Sequence, residues 1–295
     1  MSDWPIGIST GCFYYASIFD CLEDIRKGGF CMIEVCSSPG HLDYHDENAV
    51  REAAEMIDEL GMEPYSFHAP FSDDIDITCL DDTKRDRSYH EILMAAEAAA
   101  MMRVRHFVFH PGPEKALEPE PEERLQRMSN AAEVVNDVSR RCKQLGVGFV
   151  LENMLPHLLF GNARDMLWIM GAIETINVGT CLDTGHASLS GDIYSVMYKL
   201  SGHLQMIHAN DNKGKGDDHL PPGKGVIKWR RLLRELSETG FQGAFILELA
   251  GDEKKEAEEI LAGARTARRF LRDISKHIEL STPPTVVRGA LGDKR

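Results

Sequence analysis

Residues 121–152, PEERLQRMSNAAEVVNDVSRRCKQLGVGFVLE, contain one complete unit of the pattern that decides the fold. A stretch of helical period at 121–145 ends at Gly146, and a short apolar run at 148–152 follows it and closes with a carboxylate. Glycine is favoured directly after a helix because it adopts the left-handed backbone conformation without strain. An apolar run of this length is typical of a strand buried in a parallel sheet. The stretch therefore predicts an α-helix that leads into a buried strand.

The same unit repeats along the whole chain. We expect strands at 6–10, 32–35, 64–68, 106–110, 148–152, 178–183, 204–208 and 245–248. We expect helices at about 17–28, 47–60, 84–102, 121–145, 162–171, 190–200, 227–239 and 253–274, several of them followed by glycine. Eight β/α units without a break in composition predict an α/β fold, a single-domain (β/α)₈ TIM barrel over residues 1–275. The loss of periodicity near the end predicts an irregular tail at 276–295.

Composition argues against several classes of protein. The net charge of −14 disfavours binding to nucleic acid, because phosphate contacts need clustered Lys and Arg. No apolar run approaches the roughly 20 residues that cross a membrane, and we expect no signal peptide. Seven scattered cysteines without a C-x-x-C pair are typical of reduced thiols in a cytoplasmic protein. The sequence leaves the oligomeric state open, including a homo-oligomer.

Six of the predicted strands end in side chains that bind metals, namely His68, His110, Glu152, Asp183, His208 and Glu248. The carboxyl ends of barrel strands meet at one face, where active sites of this fold lie. Glu152, Asp183, His208 and Glu248 end four consecutive strands, and three carboxylates with one imidazole suit Mn²⁺, Mg²⁺, Co²⁺ or Zn²⁺. Three crowded carboxylates repel each other unless a cation neutralises them. We therefore expect a divalent metal on these four residues.

A second group of polar residues surrounds the four predicted ligands. It comprises His68, His110, His186, Asp217 and His219, the last two in a glycine-rich loop. These side chains are candidates for further metal ligands, for substrate contacts or for groups that orient the ligands. The residue types do not choose among these roles. Phe13, Tyr14 and Tyr15, after the first strand, are candidates for the wall of a substrate site or for a cover over the barrel mouth.

Several short motifs together resemble the xylose isomerase-like TIM barrel superfamily. They are Phe67-His68-Ala69-Pro70-Phe71, Phe109-His110-Pro111-Gly112, Leu151-Glu152-Asn153, Leu182-Asp183-Thr184-Gly185-His186, Ile207-His208-Ala209-Asn210-Asp211-Asn212, the loop from Asp217 to Gly225, and Leu247-Glu248. The resemblance covers roughly residues 5–275. The superfamily holds sugar isomerases and epimerases, inosose dehydratases and epimerases, hydroxypyruvate isomerases, and the endonuclease IV type of abasic-site nuclease.

The resemblance implies two alternative sites. The ketose epimerase branch implies one divalent metal on Glu152, Asp183, His208 and Glu248, with both glutamates acting as acid and base and His186 contacting the substrate. The endonuclease IV branch implies three zinc ions on all of the candidates named so far, His68, His110, Glu152, Asp183, His186, His208, Asp217, His219 and Glu248.

The sequence favours the first of these branches. The acids Asp73, Asp74 and Asp76 follow the third strand, where a DNA-binding loop would avoid negative charge. We therefore expect a metal-dependent isomerase or epimerase that acts on a sugar, a sugar phosphate or a related polyol or hydroxy-carbonyl compound through an enediolate, with Glu152 or Glu248 moving the proton. A trinuclear-zinc phosphoesterase is the alternative, and a barrel that binds a ligand without turnover is a third.

Overall fold

Eight parallel strands close into a barrel in the computed structural model, which describes residues 4–176, 178–251, 253–254 and 256–278. Each strand pairs with the next along the chain, and the eighth pairs with the first, Gly7 opposite Ile246. The strands are β1 (Ile6–Ser9), β2 (Met32–Cys36), β3 (Glu63–His68), β4 (His106–Phe109), β5 (Gly148–Glu152), β6 (Val178–Asp183), β7 (Leu204–Ala209) and β8 (Ala244–Leu247). The predicted (β/α)₈ TIM barrel is confirmed.

Helices cover the outside of the barrel between successive strands. They are α1 (Ile18–Lys27), α2 (Glu47–Glu59), α3 (Asp82–Met101), α4 (Pro121–Leu145), α5 (Ala163–Ala172), α6 (Thr184–Leu189), α7 (Ile193–Leu200), α8 (Trp229–Glu238) and α9 (Ala257–Ser275). A 3₁₀ turn, Thr10–Phe13, follows β1, and a second, Ser201–His203, precedes β7. The helix predicted at 190–200 corresponds to α7, whereas α6, which begins directly after β6, is an additional helix that the sequence analysis did not predict.

Local sequence sets where these helices begin and end. The Asp46 carboxylate caps α2 by accepting from the amides of Asn48 and Ala49, which stabilises a helix start. Gly146 ends α4 with a φ of 77°, a left-handed conformation that costs glycine little. The predicted link between glycine and helix ends is therefore correct at this position.

Apolar residues fill the inside of the barrel in a compact layer. The layer consists of Tyr65, Val108, Val150, Cys181, Met206, Ala244 and Ile246, contributed by six of the strands. A separate and larger apolar core lies between the strands and the helices. The inner layer closes the barrel below the carboxyl ends of the strands, so polar side chains gather above it.

Other features bear on the expectations from composition. No helix among the described residues is long and apolar enough to cross a membrane. All seven cysteines are free thiols. The predicted tail at 276–295 lies outside the described residues except for residues 276–278, so its irregular character stays a prediction.

Candidate metal centre

The period of the strands places the candidate residues above the inner apolar layer. Successive side chains of a strand point to opposite faces, so a residue two positions beyond an inward-facing one also points inward. Val150 is followed in this way by Glu152, and Met206 by His208. The same spacing joins Val108 to His110, Cys181 to Asp183, and Ile246 to Glu248. Strand registry therefore brings the side chains predicted from the sequence to one point at the carboxyl end of the barrel.

Four predicted ligands converge most closely. One donor atom from each of Glu152, Asp183, His208 and Glu248 lies within 4.8 Å of the others. His208 Nδ1 lies 3.0 Å from Glu152 Oε1 and 3.2 Å from Glu248 Oε2. Glu152, Asp183 and His208 are almost completely buried, whereas the Glu248 side chain is 19% exposed. The cluster therefore has a closed inner side and an open side at Glu248.

Each of the five histidines predicted for the site has one ring nitrogen within hydrogen-bond distance of an acceptor. The acceptors are Ala69 O for His68, Glu114 Oε1 for His110, Asn153 O for His186, Glu34 Oε2 for His208 and Glu248 O for His219, at 2.6–3.0 Å. The second nitrogen of each ring faces a carboxylate at 3.0–3.3 Å. Histidines that bind metals are oriented in this way, since the acceptor fixes the proton on the nitrogen away from the metal.

Two of the inward-facing nitrogens are left without a suitable partner. His208 Nδ1 and His110 Nε2 are buried and make no hydrogen bond of good geometry within the described residues, although carboxylate oxygens are near. The lone pairs of an unprotonated nitrogen and of carboxylate oxygens repel each other, and a proton on the ring or a cation between them removes this repulsion. Together with the donor set, these two nitrogens fit a divalent metal.

His186, Asp217 and His219 form a second cluster. Asp217 Oδ2 lies 3.3 Å from His186 Nε2 and 3.0 Å from His219 Nε2. His219 has a φ of 43°, in the left-handed region that residues other than glycine seldom adopt. A backbone held in this way is frequent at functional sites. The glycine-rich loop thus brings both of its predicted residues to the centre.

Positive and negative groups balance at the centre. Burial disfavours ionisation of Glu152, but His208 and His110 outweigh burial and hold the pKa of Glu152 well below its usual range. The same balance, with His208 as the main attractive partner, lowers the pKa of Glu248 to about 2. Burial is the main cause that raises the pKa of Asp183. Positive charge gathered at this point therefore keeps the two glutamates ionised.

Asp183 has two functions in the local structure. Its Oδ1 accepts from the amide of His186 at 2.7 Å and so caps α6, while Asn210 Nδ2 donates to Oδ2 at 2.5 Å. Gly185 leaves room for this contact, because a Cβ atom there would lie 2.0 Å from Asn210 Oδ1. The short helix α6, which the sequence did not predict, therefore fixes His186 relative to Asp183.

Sequence reasoning missed two carboxylates that contact the histidines. Glu34 lies inside β2 and is completely buried, and its Oε2 lies 2.9 Å from His208 Nε2. Glu114 follows β4 and lies 2.6 Å from His110 Nδ1. A signal for Glu34 existed, because a charged residue interrupts the apolar run from Met32 to Val35. The prediction considered only strand ends, and Glu114 belongs to an irregular loop that carries no such signal.

The structure changes two predictions about the residues around the candidate centre, one for Phe13 and one for Asp76. Phe13 is buried in the outer core and does not line the site, whereas Tyr14 is 54% exposed. Phe71 supplies an aromatic wall instead, since its ring centroid lies 5.0 Å from that of His68 and 5.2 Å from that of His110. Asp76 is buried and accepts from the amide and hydroxyl of Thr78. Of the three acids after β3, Asp76 is therefore not exposed on the surface that a DNA backbone would contact.

Comparison with known proteins identifies relatives of different activities. An uncharacterised protein, MJ1311, from Methanocaldococcus jannaschii is 26% identical over 251 residues, which are 83% of this chain and 84% of that protein. An inosose isomerase from Halalkalibacterium halodurans is 24% identical over 281 residues, 88% of this chain and 93% of the isomerase. A probable endonuclease 4 from Mycoplasmoides gallisepticum is 26% identical over 197 residues, 61% of this chain and 62% of that protein.

A solved structure and a family model cover nearly the whole chain. The structure of a D-tagatose 3-epimerase-like protein superposes with a TM-score of 0.81 at 24% identity, over 93% of this chain and 98% of that one. This likeness shows the shared fold. The family model matches residues 10–274, from the end of β1 to the last turn of α9. The chain therefore belongs to the xylose isomerase-like TIM barrel family.

Proposed function

We propose that this protein is a divalent-metal-dependent isomerase or epimerase that acts on a sugar, a sugar phosphate or a related polyol or hydroxy-carbonyl compound. The observation that carries the proposal is the pair of carboxylates of Glu152 and Glu248, which flank His208 Nδ1 at 3.0 and 3.2 Å. The alignment with an inosose isomerase over 93% of its length supports the same class of reaction.

The chemistry follows from the placement of the four ligands. Glu152, Asp183, His208 and Glu248 would hold the cation, and a divalent cation supplies a Lewis acid that stabilises negative charge on adjacent substrate oxygens. A carboxylate beside the reacting carbon takes its proton and returns it, which interconverts substrate and product through an enediolate. For an epimerisation the two glutamates act on opposite faces of that carbon.

Other residues of the chain bind and orient the substrate in this proposal. His186 is fixed by Asn153 and by the start of α6, so its other ring nitrogen, Nε2, is directed to Asp217 of the glycine-rich loop. Phe71 covers His68 and His110 with an exposed aromatic face. Apolar ring faces with a few fixed polar groups are typical of sites for small molecules.

Deuterium exchange tests the proposed reaction directly. The Mn²⁺-loaded protein is incubated in D₂O with ketoses, ketose phosphates, inososes and hydroxypyruvate, and NMR detects deuterium on the carbon beside the carbonyl. We expect exchange with at least one compound, accompanied by isomer formation and lost in Glu248→Gln. Full Mn²⁺ occupancy without exchange in any of the four classes would contradict the proposal.

A multinuclear-zinc phosphoesterase is the second candidate function. It is favoured by the cluster of His186, Asp217 and His219, which adds a second group of donors to the four-ligand site. The endonuclease 4 relative, which aligns over 62% of its length, supports it as well. The exposed acids Asp73 and Asp74 and the net charge of −14 oppose a polyanionic substrate.

Metal stoichiometry separates the two candidates. Elemental analysis of protein equilibrated with Zn²⁺ and then freed of unbound metal gives the number of ions per chain. One ion favours the isomerase, and three ions together with incision of abasic DNA favour the phosphoesterase.

A further inference from the structure

Glu34 is a buried acid at a place where an unpaired charge would be costly. It lies in the middle of β2, is completely buried and points into the barrel, beside its register partner Ser66 of β3. Ser66 Oγ donates to Glu34 Oε2 at 2.8 Å. Glu34 Oε1 has no hydrogen-bond partner within the described ranges of the chain. A buried carboxylate of this kind persists only where a specific partner stabilises it.

The partner of Glu34 is the imidazole of His208. Glu34 Oε2 lies 2.9 Å from His208 Nε2, and both side chains are fully buried. A carboxylate accepts hydrogen bonds and cannot donate them when ionised, so this contact places the proton of the neutral imidazole on Nε2. The unprotonated nitrogen is then Nδ1, on the other side of the ring.

His208 Nδ1 is the atom that faces the candidate metal centre. It lies 3.0 Å from Glu152 Oε1 and 3.2 Å from Glu248 Oε2, and it has no hydrogen bond of its own among the described residues. The imidazole ring therefore lies between Glu34 on one side and Glu152 and Glu248 on the other. Glu34 acts through His208 and is not itself a ligand.

From this arrangement we infer that Glu34 is a positioning residue, which fixes His208 in the tautomer and orientation that present Nδ1 to a divalent cation. The inference rests on the proposed metal centre and names the residue that makes one of its ligands competent. In metalloproteins, loss of a group that hydrogen-bonds to a metal-binding histidine typically lowers metal affinity about 10- to 100-fold.

Zn²⁺ affinity of variants tests the inference. Glu34→Gln keeps the shape of the side chain but removes its charge, and Glu34→Met removes the acceptor with a side chain of similar length. Ser66→Ala is the matched control, since it removes one hydrogen bond from the same carboxylate and leaves the contact with His208. Competition with a chromogenic chelator measures the Zn²⁺ dissociation constant, and thermal unfolding measures stability.

We expect weaker Zn²⁺ binding by about 10-fold or more in Glu34→Met, a smaller loss in Glu34→Gln, whose amide oxygen can still accept from His208 Nε2, and a change of less than about 3-fold in Ser66→Ala. Replacement of a buried charge by an apolar group is often neutral or stabilising. A folded Glu34→Met variant with weak Zn²⁺ binding would therefore support positioning, whereas lowered stability with unchanged Zn²⁺ affinity would show a structural role and overturn the inference.

The tautomer can be read in the wild-type protein without any substitution. In ¹⁵N-histidine-labelled, Zn²⁺-loaded protein, with His208 assigned through His208→Gln, we expect a protonated Nε2 and a metal-bound Nδ1. A protonated Nδ1 would overturn the inference. Absence of Zn²⁺ binding in the wild type would remove the proposed metal centre itself, and equal binding by wild type and Glu34→Met would remove only the role of Glu34.

Discussion

Asp211 offers the sharpest test of how the loop between β7 and α8 is held. The residue is completely buried just after β7, before the loop that carries Asp217 and His219. Its carboxylate accepts four hydrogen bonds, from the backbone amides of Asn212, Ile227 and Gly223 at 3.0, 3.1 and 3.1 Å and from Trp229 Nε1 at 2.9 Å. These donors lie on both sides of the loop, so the carboxylate ties the two ends of the loop together.

Asp211→Asn replaces one accepting oxygen with a donating NH₂ group of the same size. Whichever way the amide turns, two of the four donors lose their acceptor and face another donor. A hydrogen bond to a charged group contributes about 1.5–3 kcal/mol, so the loss of two lowers the free energy of unfolding by about 3–6 kcal/mol. For a domain of this size the melting temperature then falls by at least about 5 °C.

Urea and thermal unfolding measure the effect, and Asp218→Asn serves as the control. Asp218 lies on the same loop, but its Oδ2 accepts one bond from the amide of the exposed Lys213. In Asp218→Asn the amide oxygen can still accept this single bond, so we expect less than about 1 kcal/mol for this control. Limited proteolysis should cut Asp211→Asn within 213–225 and spare the control.

Two results would refute this reasoning. An Asp211→Asn protein that unfolds within about 1 kcal/mol of the wild type and also resists proteolysis at 213–225 would show that the carboxylate does not organise the loop. Equal destabilisation of both variants would show that any change of charge in the loop has this effect.

Three further predictions concern the site and the pH range of stability. Glu152→Gln and Glu248→Gln should each lower kcat about 100-fold or more with the barrel folded, and activity retained with metal bound would exclude that glutamate. Zinc-loaded protein should not incise a duplex that carries an abasic analogue, and incision on the 5′ side that is lost in His110→Ala would reverse our order of functions. Burial, aided by the nearby Arg105, lowers the pKa of His106 from 6.5 to about 4, so the unfolded chain binds its proton first and stability falls as pH drops through this interval. His106→Gln should flatten that fall in urea titrations between pH 6.5 and 4, and an unchanged slope would contradict the assignment.

The fold was predictable because each unit of the chain repeats the same physical signals. Apolar runs such as 148–152 and the glycine at 146 mark strands and helix ends by themselves, without knowledge of the tertiary structure. The additional helix α6, at 184–189, was not predictable in this way. Helix α6 has six residues, too few for a periodic pattern, and it begins because Asp183 caps it.

The convergence of the candidate ligands was predictable from position alone where a side chain ends a strand. Glu152 and His208 met this rule, since parallel strands of a barrel direct their carboxyl ends to one face. Glu34 did not, because its role depends on a contact with His208, 174 residues away in sequence. Phe13 and Asp76 show the opposite error, since their burial follows from tertiary packing that residue type does not reveal.

The candidate donors lie two residues beyond the inner apolar layer, so the strands position them, whereas the loops position the residues around them. Donors such as Glu152 and His208 are held by backbone pairing that the loops do not enter. The more exposed groups around them, such as Phe71 and His219, belong to the loops. Exchange of loops between barrels of this kind should therefore change which small molecule is bound, while the strand-borne donors keep their positions. The chain is then a suitable scaffold for changing substrate specificity by loop replacement.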